Sequence, residues 1–156
     1  MEMSQLMGDL MTASYSQLVT LLRVSIAMAL GSLIGFERER MERPAGLRTH
    51  MLVAGAAALF VSLGDVLTRD FSIELNQGAV RTDPIRVIEA IVTGVSFLGA
   101  GTIIRDSGQI HGLTTAASLL FSAAIGLSVA LGQFVLAVGL AGLALLTLRG
   151  LRRLEP

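Results

Sequence analysis

Glu37-Arg38-Glu39-Arg40-Met41-Glu42-Arg43-Pro44-Ala45-Gly46-Leu47-Arg48-Thr49-His50 is dense in charge between two greasy flanks. Leu18 to Phe36 before it is nearly all apolar or small, and Met51 to Gly64 after it carries no charge. A charged block of this kind does not lie in hydrocarbon, where an unpaired charge is costly. It reads as a loop pinned at a membrane surface, with a helix entering on each side. Pro44 lacks an amide hydrogen and Gly46 tolerates positive φ, so the turn is expected there.

The 156 residues are 53% hydrophobic, with a mean hydropathy of +0.70. The apolar residues come as blocks of about 15–20, the length that spans a bilayer core. A soluble chain of this size has too little polar surface to bury several such helices. Formal net charge is zero, so bulk charge points to no partner, and nucleic acid is not expected as one. All twelve basic residues are Arg. The absence of Cys excludes disulfides, thiolate metal sites and a Cys nucleophile. Met1 to Gln17 carries Glu2 and Asp9 and no positive charge, which makes it a poor signal peptide. Met3, Leu6, Met7, Leu10 and Met11 share one helical face, so a short interfacial helix is expected there.

The fold class that follows is an all-α membrane protein with five transmembrane helices, a single transmembrane domain over residues 1–156 with no soluble C-terminal domain. The spans are read at about 18–36, 49–67, 84–104, 113–131 and 134–149. Asp65 makes the far end of the second span ambiguous, and Asn76-Gln77-Gly78 signals a turn in a polar loop beyond it. Asp83 and Pro84 suit the N-cap and first position of the third helix. That helix carries Gly94, Gly99 and Gly101, with a local break expected at Gly99–Gly101. A short polar turn, Arg105 to Gly112, precedes the fourth span. There Thr114, Ser118, Ser122, Gly126 and Ala130 recur every four residues, one continuous small face. Together with Gly31 and Gly35 in the first span, these small residues predict close helix packing, within the bundle or in a homo-oligomer. Gly132-Gln133 closes a tight hairpin into the fifth span.

Arginine asymmetry orients the bundle. With the charged loop in the cytoplasm, that side holds Arg38, Arg40, Arg43, Arg48, Arg105, Arg149, Arg152 and Arg153. The other side holds only Arg69, Arg81 and Arg86. The N-terminus is then outside and the C-terminus inside.

A shift of 66 positions superposes two turns. Gly35 falls on Gly101, Gly46 on Gly112, Leu47 on Leu113 and Thr49 on Thr115. Spans one–two and three–four are thereby readable as two parallel repeats, with a fifth helix added. The shift also places Arg23 on Glu89, the charges inside the spans, at equal depth and of opposite sign. An intramembrane charge is a functional hypothesis by default, so the two are expected to pair. The bland alternative is that each snorkels to the surface. The repeat brings the two turns together on the cytoplasmic face. Glu37, Arg38, Arg48 and Thr49 would there meet Arg105, Asp106, Thr114 and Thr115, a cluster suited to a lipid phosphate or an acidic partner segment.

Gly31-Ser32-Leu33-Ile34-Gly35-Phe36-Glu37-Arg38-Glu39-Arg40 with Arg43-Pro44-Ala45-Gly46-Leu47-Arg48-Thr49-His50 resembles the signature opening of the MgtC/SapB family of bacterial inner-membrane proteins. Gly94 to Arg105 and Gly112 to Ala117 resemble its second and third signature stretches, in matching order and spacing. The resemblance covers roughly Leu18 to Leu148. It implies a five-helix inner-membrane domain linked to growth at low magnesium, to acid tolerance and, in pathogens, to survival inside macrophages. It also implies action by binding another membrane protein, the ATP synthase among them, rather than by moving magnesium. Two departures stand out: many members carry a soluble C-terminal domain, where this chain stops at Pro156, and many carry a Trp where this chain has Leu120 and Phe121.

Glu37, Glu39 and Glu42 offer the oxygen ligands that magnesium favours. Interleaved with Arg38, Arg40 and Arg43, they read instead as a solvated charge run. No cofactor is expected, magnesium being the one cation those carboxylates suit. His50 and His111 have no second His at ligand spacing. No catalytic triad order, Walker loop or nucleotide-binding glycine motif occurs, so no enzyme is expected. Two functional classes remain: a regulatory protein acting through contacts in the bilayer, and a cation or proton transporter with Arg23 and Glu89 in its path.

Overall fold

The computed structural model describes residues 2–74 and 84–150. Asn76-Gln77-Gly78, Arg81, Asp83, Arg152 and Arg153 lie outside the described residues. Five helices are present: α1 (Glu2–Arg40), α2 (Leu47–Glu74), α3 (Pro84–Ala100), α4 (Leu113–Ala130) and α5 (Phe134–Gly150). A short hairpin of β1 (Ile104–Asp106) and β2 (Gln109–His111) joins α3 to α4. The fold is all-α and membrane-like. Leu10–Arg40, Leu47–Leu67 and Leu113–Ala130 are long and apolar enough to cross a membrane, while α3 and α5 have 17 residues each.

Three boundaries differ from the sequence reading. The expected interfacial helix at the N-terminus is the beginning of α1, which runs unbroken into the charged block. The loop is accordingly only residues 41–46. The apolar span of α2, Leu47–Leu67, ends where the sequence reading puts it, but the helix itself continues past Asp65 to Glu74. A helix ends where its backbone finds other partners, and a single surface carboxylate does not force that.

The turns are built by recognisable devices. Arg43 N–H bonds back to the Arg38 carbonyl and Glu42 N–H to that of Glu39, with Glu42 at φ 54°. This is a Schellman end to α1 with Glu42 in the left-handed position that glycine usually fills. Gly46 does not adopt positive φ, contrary to expectation. It is small because an added Cβ would press on Glu39 Oε2 at 2.8 Å. That oxygen accepts the Leu47 N–H at 2.7 Å, so Glu39 caps α2 from the end of α1. Helix α4 ends with the same motif as α1: Gln133 N–H bonds to the Ser128 carbonyl and Gly132 N–H to Val129, with Gly132 at φ 73°. In the hairpin, Ser107 (φ 47°) and Gly108 (φ 84°) form the type I′ turn that matches strand twist. Arg105 pairs with Ile110 and Asp106 with Gln109. The break foreseen at Gly99–Gly101 is the end of α3 at Ala100.

Helix α4 is the axis of the bundle and packs on all four other helices. Helices α1–α2, α3–α4, α1–α4, α2–α3 and α2–α4 are in contact, the set that two parallel repeats around an α2/α4 axis would produce. Helix α5 adds contacts to α1 and α4. The core is largely alanine: Ala27, Ala54, Ala58, Ala137 and Ala141 with Ile34, Ile125 and Val129 on one side. Ala57 and Ala123 with Val53, Ile91, Val95 and Leu119 form the other.

Small side chains are required where backbones touch. A Cβ on Gly31 would lie 2.7 Å from the His50 carbonyl, one on Gly35 2.7 Å from Leu47 Cα, and one on Gly126 2.1 Å from the Ala54 carbonyl. Ser118 and Ser122 are buried on the same face of α4. Gly99 sits on Ala116 at 3.3 Å. These contacts are all within the chain. Gly101 is in the turn after α3, and Gly94 opposes nothing within 4 Å, so it is not a packing residue here.

Gly126→Ala is expected to lower the melting temperature in detergent sharply, because α2 and α4 must part and overpacking costs about 1–3 kcal/mol or more. Gly139→Ala, with nothing within 4 Å, should leave it near wild type. Equal melting temperatures for the two variants would contradict the α2–α4 contact.

Candidate functional site

The charged end of the bundle is cross-linked by polar side chains from α1, α2, α4 and α5. Arg38 lies in the last turn of α1 and is only 5% exposed. Its Nη2 donates to Thr115 Oγ1 at 2.7 Å, so the two aligned turns do meet at one bond. Its Nε is buried and finds no acceptor among the described residues. The adjacent carboxylates are engaged elsewhere. Glu37 accepts from Arg149 Nε at 2.8 Å and Nη2 at 2.7 Å, and Glu39 caps α2.

His50 is fully buried one turn into α2. Its Nδ1 lies 2.8 Å from the Gly46 carbonyl, which can only accept, so Nδ1 carries a hydrogen. Its Nε2 lies 3.0 Å from Ser118 Oγ. Ser118 Oγ is also 2.8 Å from the Thr115 carbonyl, and the hydroxyl has one hydrogen for the two. If Ser118 donates to Thr115, the ring must donate from both nitrogens and be an imidazolium. If the ring is neutral, Ser118 turns its hydrogen to Nε2. A second cation buried beside Arg38 without a carboxylate is the costlier arrangement, so the neutral ring with Ser118 donating is the resting state. A continuous polar seam results: Arg38, Thr115, Ser118 and His50, with the buried Ser122 hydroxyl one turn beyond.

Of the eight residues expected to cluster, only Arg38 and Thr115 are brought into contact. Glu37 is buried but faces α5. Arg48, Thr49, Arg105, Asp106 and Thr114 are exposed at the same end, Arg105 and Asp106 on the hairpin. The Arg23–Glu89 pair is not formed. Arg23 Nη1 donates to the Ala130 carbonyl at 3.0 Å, one of the orphan carbonyls at the end of α4, and Glu89 is exposed. Equal depth along the repeat did not mean a shared face. His50, Glu39 and Arg149 were missed as site residues, and Ser118 was read for helix packing, which holds, but not for its bond to His50. For His50 a signal existed: it shares a helix face with Val53, Ala54 and Ala57, which predicts burial. Among the described residues no group of three His, Asp or Glu side chains is arranged to hold a metal ion.

The MgtC family model matches residues 24–156, a range that contains every residue of this seam. The chain belongs to the MgtC family. It is 45% identical over 114 residues to Protein MgtC of Salmonella typhimurium (strain LT2), covering 73% of this chain and 44% of that one. It is 46% identical over 100 residues to Protein MgtC of Brucella abortus (strain 2308), covering 64% and 37%. An uncharacterised Synechocystis protein is 41% identical over 119 residues, covering 76% and 46%. The chain therefore spans less than half the length of these relatives. No solved structure matches it. Family membership and the apolar helices together make it a membrane protein.

Thr115→Val should destabilise the protein by about 1.5–3 kcal/mol, the worth of a hydrogen bond to a charged group, and Thr115→Ser should restore most of it. Ser118→Ala leaves His50 Nε2 buried without a partner and should cost about 1–3 kcal/mol. Unfolding midpoints in detergent measure each. A Thr115→Val protein as stable as wild type would show that Arg38 does not depend on this hydroxyl.

Proposed function

We propose that this chain is a regulatory, interaction-type protein of the bacterial inner membrane, engaged in adaptation to magnesium limitation or acid stress, and that it is not an enzyme. All five helices span the bilayer, the N-terminus lies outside and the C-terminus in the cytoplasm. The chain works as a homo-oligomer or against another membrane protein. The observation that carries this reading is the construction of the charged end. Arg38 and Thr115 tie the ends of α1 and α4 together beneath the surface, and Glu37–Arg149 ties in α5. Arg48, Thr49, Arg105 and Thr114 stand exposed above a braced base. Exposed guanidinium groups suit recognition of carboxylate or phosphate on a partner. The polar groups below it are used in holding helices together rather than in lining a path. The names of the relatives support the family context and leave the role to experiment.

Two measurements test this. A single Cys at Gln77 should react with an impermeant thiol reagent from outside the cell, and one at Met41 should not; the reverse would invert the topology. Arg48→Ala should abolish growth support under magnesium limitation while membrane level and melting temperature stay near wild type, since exposed substitutions typically change stability by under about 0.5 kcal/mol. Normal growth with Arg48→Ala would remove that residue from the contact surface. Ion flux through liposomes containing the purified protein would favour a transporter over a regulator.

A further inference from the structure

A second feature lies on the opposite flank, between α2 and α3. These helices enclose a cavity of about 880 Å³, open along one side, within the size range of small-molecule pockets. The cause is in the sequence. Ala56, Ala90 and Gly94 leave space between the helices, and Leu52, Phe60 and Leu98 border it. From Arg86 to Leu98 the groove follows α3 for roughly 18 Å at 1.5 Å per residue, more than one leaflet of a bilayer whose hydrocarbon core is about 30 Å thick. Among the described residues its lining is hydrocarbon apart from one side chain. Arg86, in the first turn of α3, lines the end bounded by Leu67. It forms no ion pair among the described residues, and Asp65 and Glu89 lie outside the lining.

We propose that this groove is a phospholipid site, with one acyl tail lying between α2 and α3 and the lipid phosphate held by Arg86. The charge pattern selects this occupant. A long apolar slot with one cation among its described lining residues, at its interfacial mouth, matches a molecule with one anionic head and a long apolar tail. A guanidinium is the side chain suited to bind phosphate with two parallel hydrogen bonds. The slot is set by alanine and glycine on two helices that stay in contact with each other, so it takes a flexible chain more readily than a rigid helical segment. The seat is also soft on one side. Among its described side chains, helix α3 is buried only along the stripe Ile91, Val95 and Gly99, so a tail that fills the groove adds to what holds α3 in place.

The test uses the full chain purified in mild detergent, with bound lipid counted by native mass spectrometry. Phosphatidylglycerol and a diacylglycerol with the same tails are titrated separately. Wild type should retain one phosphatidylglycerol and bind the diacylglycerol about tenfold more weakly, as expected for loss of a charge-assisted hydrogen bond. Arg86→Gln should abolish that preference. Gly94→Phe should reduce retention of both lipids, and the substitution has room, because a Cβ at Gly94 meets nothing within 4 Å. Ala90→Phe is a second plug should Gly94→Phe fail to fold. Melting temperature in lipid-free detergent separates loss of lipid from loss of structure. Equal affinity of wild type for the two lipids, or unchanged retention in a folded plugged variant, overturns the proposal. So does a wild-type dimer that Gly94→Phe converts to monomer with no change in lipid count, which would give the groove to a second copy.

Discussion

The structure depends on three backbones coming closer together than side chains normally allow. Helix α2 lies against α1 at Gly31 and Gly35 and against α4 at Gly126. In a bilayer there is no hydrophobic force to press helices together, because lipid is as apolar as leucine. Association then relies on close van der Waals contact and on polar bonds between helices. The alanine-rich core follows from that constraint. So does the polar seam. The contact at Gly31 is with the carbonyl of His50 itself, so the packing that brings α1 to α2 also carries an imidazole inside. Once there it must be satisfied, and Ser118 on α4 does so. Close packing and the buried network are one feature, since each positions the groups the other needs.

Much of the fold was legible because its signals are local. Pro84 starts α3, Gly132 ends α4, and the four-residue small face of α4 is buried from Ser118 to Ala130, with Thr114 at its start exposed. What failed was any inference from charge to helix end. Glu37 to Arg40 looked like loop because charge leaves hydrocarbon, but leaving hydrocarbon does not end a helix. The chain stays helical until Glu42 takes up positive φ, a conformation whose cost to a non-glycine residue, about 1–2 kcal/mol, no composition argument anticipates. The hairpin was read as a plain turn although Ser107-Gly108 suits a type I′ bend, because strands of three residues have too little periodicity to see.

The site was legible in proportion to how far its residues resemble one another across the repeat. Arg38 and Thr115 lie near equivalent turns, and their meeting follows from superposing them. His50 and Ser118 are 68 positions apart and correspond to nothing alike in the other half. Their pairing depends on the rotation of α2 about its axis, which only packing fixes. The Arg23–Glu89 expectation failed for the same reason. A repeat equates depths along the membrane normal, while a contact also requires a common azimuth. Arg23 is instead satisfied by the end of α4, where a cation complements the helix dipole.

The two flanks of the molecule are held differently, and this bears on where it can change shape. Helices α1, α2, α4 and α5 share hydrogen bonds or ion pairs at the charged end, as well as an alanine core. Among its described side chains, helix α3 has only Ile91, Val95 and Gly99 buried. It continues directly into the hairpin that displays Arg105 and Asp106, and the hairpin in turn leads into α4 through Gly112, whose φ of 90° and contact with the Thr102 carbonyl leave no room for a side chain. A shift of α3 against its neighbours would therefore be transmitted to the hairpin, because the junction with α4 is fixed and the strands are short. Whatever fills the groove between α2 and α3 would then bias the position of one part of the basic surface while Arg48, on the braced part, stays where it is.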